Sequence, residues 1–132
     1  MSEASLDFAT LRADFPALDQ RVHGHPLIYL DNAATTQKPR VVLEETLRCY
    51  TEYCGNVQRS AHHLAERASL EFEAARVAVQ RLIGAATPEE IIFVSGATAA
   101  INVVAHGWGD DAVGPGDEVV VTQLEHHSNL LP

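Results

Sequence analysis

The run from Ile91 to Thr122 constrains the fold more than any other part of the chain. Ile91-Ile92-Phe93-Val94 is a short apolar run, rich in β-branched and aromatic residues, that reads as a buried strand. Ser95, Gly96 and Ala97 then let the backbone turn without side-chain obstruction, and Ala99 to His106 follows as a helix. Glu118-Val119-Val120-Val121-Thr122 is the clearest strand in the sequence. Strand, helix and strand in so short a span predict a βαβ unit, hence a parallel sheet and an α/β protein.

That pattern also predicts where a ligand would sit. A helix starting at a small-residue turn points unpaired N–H groups and the positive end of its dipole at the turn, an arrangement that receives phosphate well. Ligands in open parallel sheets collect at the carboxyl ends of the strands. Here those ends are Ser95-Gly96-Ala97-Thr98 and Gln123-Leu124-Glu125-His126-His127. With the two strands as close neighbours, a phosphate at Thr98 and an imidazole at His126 would share one crevice.

Leu6, Phe8, Leu11 and Phe15 mark an N-terminal helix, with Ser5 as its cap and Pro16 as its stop. Val22 to Pro26 carries the Gly and Pro of a turn, and His23 and His25 read as surface turn histidines. Leu27-Ile28-Tyr29-Leu30 is a further strand-like run entering Asp31-Asn32-Ala33-Ala34-Thr35-Thr36. The small residues there suit a loop whose backbone approaches a ligand, and equally a plain turn that bonds its own backbone.

Pro39 is placed at the first position of a helix that runs towards Gly55. Asn56 to Ser60 is a polar connection in which Arg59 offers a fork of donors suited to carboxylate or phosphate. Positions 64, 68, 72, 75, 79 and 82 follow a helical period from Ala61 to Ile83, with Gly84 as the C-terminal cap. Thr87-Pro88-Glu89-Glu90 starts one further helical turn. Cys49 and Cys54 stand five residues apart, which on one α-helix puts them on different faces, so reduced thiols are expected.

The formal net charge is −9, with no run of basic residues, which argues against nucleic acid and anionic membrane surfaces as partners. The start lacks the basic and apolar regions of a secretory signal, and no apolar run approaches the ~20 residues that span a bilayer. A cytoplasmic protein is expected. A metal site at Glu125, His126 and His127 is set aside, since adjacent histidines on a strand end point apart.

Taken together, several stretches resemble one family. Tyr29-Leu30-Asp31-Asn32-Ala33-Ala34-Thr35-Thr36-Gln37-Lys38-Pro39, then Asn56-Val57-Gln58-Arg59 with His62 and Leu64, are similar to the opening motifs of cysteine desulfurases. The similarity is to the SufS-like branch, which includes selenocysteine lyases, on the class V aminotransferase fold. Phe93 to Thr98, Ile101 to Ala105, Trp108-Gly109, Gly116-Asp117-Glu118 and Glu125 to Asn129 continue it in order over nearly the whole chain.

The resemblance implies a type I pyridoxal 5′-phosphate (PLP) enzyme fold, a mostly parallel sheet with flanking helices, of which residues 1–132 would be the incomplete N-terminal part. It implies conversion of L-cysteine (or selenocysteine) to L-alanine, with the sulfur left as a persulfide on an enzyme cysteine for iron–sulfur cluster assembly or other delivery. Ala97 and Thr98 would hold the cofactor phosphate. His126 would stack on the pyridine ring and assist proton transfer. Ala33 would approach the substrate carboxylate through its backbone, and Arg59 would reach into the active site. A homodimer at full length and a sulfur-acceptor protein are the implied partners. Gln58 stands where the family often has His, and Ala99 where Glu is common.

Such an enzyme needs a lysine to hold its cofactor as a Schiff base. Lys38 is the only lysine in the chain and does not match that position, which in the family lies beyond residue 132. Neither Cys49 nor Cys54 matches the sulfur-accepting cysteine. The expectation is an N-terminal segment with the phosphate grip and no covalent chemistry of its own. The alternatives are another class V enzyme, such as an aminotransferase or a kynureninase-like hydrolase, and a non-catalytic chain that binds a phosphate compound or a full-length subunit.

Overall fold

In the computed structural model, residues 7–58 and 61–132 are described. The proposed Ser5 cap, Leu6 and Arg59 lie outside them. The chain divides into two compact units, residues 1–75 and 76–132. Six α-helices occur among the described residues: α1 (Phe8–Ala13), α2 (Arg40–Arg48), α3 (His63–Ile83), α4 (Ala97–Val104), α5 (Asp110–Ala112) and α6 (His127–Leu130). The sheet is one antiparallel hairpin, β1 (Arg21–Val22) with β2 (His25–Pro26).

In the first unit, Asp7 caps α1, its carboxylate accepting from the Ala9 N–H at 3.0 Å. Arg12 donates from α1 to the carbonyls of Leu18 and Leu27, at 2.6 and 2.7 Å, tying the helix to the chain on either side of the hairpin. Pro16 opens a 3₁₀ turn (Pro16–Asp19) after α1. The hairpin turns at His23 and Gly24, both at positive φ (50° and 82°), as the tightest two-residue turn requires. Pro39 is extended, with ψ 157°, and precedes α2 instead of starting it.

The helical path continues past α2 as a wide π turn, Cys49–Tyr53. Three interactions hold it. The Thr51 hydroxyl donates to the Leu47 carbonyl at 2.9 Å. The Tyr53 hydroxyl donates to Glu45, and the Tyr53 ring lies between the guanidinium groups of Arg48 and Arg67, at 5.3 and 5.0 Å. Arg48 in turn grips Glu45 through two contacts of 2.8 Å. Tyr53 is buried with Ala65 and Ala68 of α3, and this small cluster is the core of the first unit. The close approach is possible because Gly55 lies against the α3 backbone, where a Cβ would stand 2.8 Å from the Ala65 nitrogen.

This wide turn corrects the expectation for the cysteines. Five residues on an α-helix advance about 140° beyond a full turn. With i→i+5 bonding, the second residue instead stands about one turn from the first. Cys49 and Cys54 consequently line the same cavity.

In the second unit, α3 stops where the sequence predicts, Gly84 taking φ +71° and Ala85 bonding back to the Gln80 carbonyl at 3.0 Å. A 3₁₀ turn, Pro88–Glu90, leads to residues 91–94. The parallel sheet expected here is absent among the described residues: 27–30, 91–94 and 118–122 have no ladder partners. Their side chains explain why nothing pairs them. Ile91 is buried, but Val120 is 89% exposed and Leu30 likewise 89%, so these runs are covered only in places. A strand is stabilised by neighbours on its edges and faces, and these apolar runs have too few of either. No helix among the described residues is long and apolar enough to cross a membrane.

Candidate phosphate site at the start of α4

Gly96 precedes α4 as its N-cap, without a side chain to bond the helix start. The first backbone bond of the helix runs from the Ala100 N–H to the Gly96 carbonyl at 3.0 Å. The N–H groups of Ala97, Thr98 and Ala99 come before it and have no carbonyl within the helix to reach. A Cβ built at Gly96 meets nothing within 4 Å, so the space over the helix start is open. Backbone donors, the Thr98 hydroxyl and the positive helix end are a donor set that suits a phosphate monoester.

Thr98, Asn102 and His106 recur at every fourth position and form one stripe of α4 and its extension. Together with His127, Ser128 and Leu131 they line a cavity of about 300 Å³. The Asn102 amide donates to the Thr98 carbonyl at 2.8 Å, bracing the first turn from inside the helix. His106 lies 3.4 Å from Asp110. Asn102, His106 and Ser128 were not singled out by sequence. The first two carry a signal in hindsight, since they repeat the Thr98 position at helical spacing.

His126 does not line that cavity. It caps α6, its Nδ1 accepting from the Ser128 N–H at 3.2 Å and lying 2.8 Å from the Ser128 hydroxyl. An Nδ1 that accepts a backbone proton leaves the ring's own proton on Nε2. Because His126 begins a helix instead of ending a strand, its ring and that of His127 meet, with centroids 3.9 Å apart and a 38° tilt. The expectation that the two point apart is therefore overturned. Among the described residues, no group of three or more His, Cys, Asp or Glu could hold a metal ion.

Glu125 steadies the approach to α6. Its carboxylate accepts from the Asn129 amide at 2.7 Å and the Thr122 hydroxyl at 2.9 Å. Those two bonds, Asn129 first, hold its carboxyl below the ordinary carboxylate range.

Ala33 lies in the first unit, in a loop closed by its own polar groups. The Thr35 N–H reaches the Asp31 carbonyl at 3.1 Å, the Thr36 hydroxyl donates to the Asn32 carbonyl at 3.0 Å, and Lys38 bonds the Thr36 carbonyl. The turn alternative thus describes how this loop is built. Gln58, beside Arg59, takes φ 60°, and bonds Ser69 through its backbone N–H and Glu73 through its amide.

The helix start thus offers donors of the kind that suit an anion. The aminotransferase class-V family profile matches residues 28–132, and the chain belongs to that family. More particularly, it is similar to proteins named as cysteine desulfurases. It is 53% identical over 126 residues to probable cysteine desulfurase 1 of Mycobacterium leprae (strain TN), covering 96% of this chain and 21% of that protein. It is 52% identical over 124 residues to a probable cysteine desulfurase of Synechocystis sp. (strain ATCC 27184 / PCC 6803 / Kazusa), covering 94% and 30%. With a probable cysteine desulfurase of Staphylococcus aureus (strain Mu50 / ATCC 700699) it shares 48% over 132 residues, all of this chain and 32% of the relative. The chain thus spans about a fifth to a third of the length of these relatives.

Proposed function

We propose that this chain forms the phosphate-holding part of a PLP-dependent cysteine desulfurase acting on L-cysteine or selenocysteine. The observation that carries the reading is the Gly96–Thr98 helix start, lying inside a chain about half identical to proteins named for that activity. PLP, when bound, supplies the electron-withdrawing ring that makes C–S cleavage of a cysteine substrate feasible. The residues here do three things towards it. The N–H groups of Ala97 and Thr98, with the Thr98 hydroxyl, hold the phosphate. His126 would pack against the ring and assist proton transfer. The Ala33 backbone and Arg59 receive the substrate.

The apolar runs 27–30, 91–94 and 118–122 fit a mostly parallel sheet once further strands of a longer polypeptide cover them, in keeping with a type I fold. A homodimer, a sulfur-acceptor protein, iron–sulfur cluster assembly and a cytoplasmic setting belong to the same proposal. Little or no cysteine turnover is expected of the 132-residue chain by itself, because Lys38 does not match the family's Schiff-base position and neither cysteine matches its sulfur-accepting position.

The test compares PLP with pyridoxal, which lacks the phosphate, by quenching of Trp108 fluorescence. PLP should bind more tightly, and Thr98→Val should weaken it by about 1 kcal/mol, or roughly fivefold, while leaving pyridoxal unaffected. Equal binding of the two compounds would refute a phosphate grip at Thr98. Alanine release from cysteine by the isolated chain, persisting in Lys38→Ala, would refute the stated division of labour.

A further inference from the structure

We propose that Cys49 and Cys54 form a closable dithiol, a site for reversible oxidation by low-molecular-weight disulfides. The two thiols share a cavity of about 650 Å³ with Val41, Val42, Thr46 and Tyr50. Both are free, Cys49 half-buried and Cys54 exposed. What brings them together is the π turn Cys49–Tyr53, whose i→i+5 repeat sets residue 54 about one turn from residue 49. The turn is held from outside the pair, by Thr51 on Leu47 and by Tyr53 on Glu45, so the cysteines are free to react. Such wide turns inside helices are frequently functional.

Cys54, being exposed, reacts first. Its thiolate displaces one glutathione thiolate from glutathione disulfide and forms a mixed disulfide. The Cys49 thiolate then displaces the second glutathione and closes the protein disulfide. The cysteine pair loses two electrons and the glutathione disulfide gains them. The two protons leaving the cysteines end on the two glutathione sulfurs. One helical turn leaves Cβ atoms about 5–6 Å apart and a disulfide needs about 3.5–4.5 Å, so closure requires Cys54 to move inward by about 1–2 Å. Cys54 itself has already left the helix, with ψ 108°.

The experiment treats the full chain with glutathione disulfide at low protein concentration and follows intact mass under native conditions and in urea. The native chain should become lighter by two hydrogens, carry no glutathione, remain monomeric, and close at least about tenfold faster than in urea, where the turn is lost. Cys49→Ser and Cys54→Ser should each retain one glutathione instead. Tyr53→Phe, which keeps both thiols but loses the bond to Glu45, should lose the rate advantage over urea. A native chain that retains glutathione, cross-links to a second copy, or closes no faster than in urea would overturn the proposal.

Discussion

Gly55→Ala tests the packing that defines the first unit. Gly55 is not among the positive-φ residues, so an alanine there meets no backbone strain of its own. The obstacle is steric. Its Cβ would stand 2.8 Å from the Ala65 nitrogen, 2.9 Å from the Leu64 carbonyl carbon and 3.0 Å from the Ala65 Cα. Ordinary contact begins at 3.4 Å, so the closest atom must retreat by about 0.6 Å. All three atoms are backbone of α3, two of them in Ala65, which is only 1% exposed, and no side-chain rotation relieves them. Overpacking of this kind costs about 1–3 kcal/mol, which for a chain of this size lowers the melting temperature by about 4–12 °C. Thermal unfolding followed by circular dichroism measures it. Because the obstruction is backbone, adding Ala65→Gly should not restore stability. Gly84 supplies the contrast. It sits at φ +71° with open space around it, so Gly84→Ala costs about 1 kcal/mol of conformational strain and Gly84→Asn less. Asparagine at Gly55 should be no better than alanine. A Gly55→Ala chain melting within about 1 °C of the parent would refute the close approach of residue 55 to α3.

Three further outcomes are expected. The Tyr53 hydroxyl, bonded to the Glu45 carboxylate and buried, has its pKa raised from 10.0 to about 12. A raised folded value stabilises fully below pH 10 and is lost as pH climbs from there towards about 12, so alkaline unfolding should begin in that window and Tyr53→Phe should flatten it. Glu125 has the opposite sign: its lowered carboxyl contributes above its ordinary value of 4.5 and is lost as pH falls below that, so amide exchange around Asn129 should accelerate in acid and become insensitive to that acid range in Glu125→Gln. His126→Ala removes the acceptor of the Ser128 N–H and should speed exchange at that amide, while His126→Asn, which can cap, should preserve its protection.

Local rules carry information only as far as their partners are local. The period of positions 64 to 82, the glycine that stops it at residue 84 and the turn at His23–Gly24 were all legible, because bonds within a few residues satisfy those elements. Asp7 in place of Ser5 as the cap of α1, and Pro39 one position outside α2, are small shifts of the same local chemistry. The small-residue turn before α4 was legible for the same reason, and with it the donors at Ala97 and Thr98.

Tertiary interactions decided the rest. Whether Val119-Val120-Val121 becomes a strand depends on neighbours that no property of those residues supplies, and among the described residues it remains unpaired and exposed. The facing of Cys49 and Cys54 depends on a wide turn held by Glu45, Arg48 and Arg67 around one buried tyrosine, contacts that span α2 and α3. The role of His126 changed in the same way, because a ring judged as the end of a strand became the cap of a helix. The sequence by itself determined which residues could offer donors to a phosphate. Only the folded chain determined which side chains stand beside them, since a hydrogen bond within a turn is written in adjacent residues and a packed contact is not.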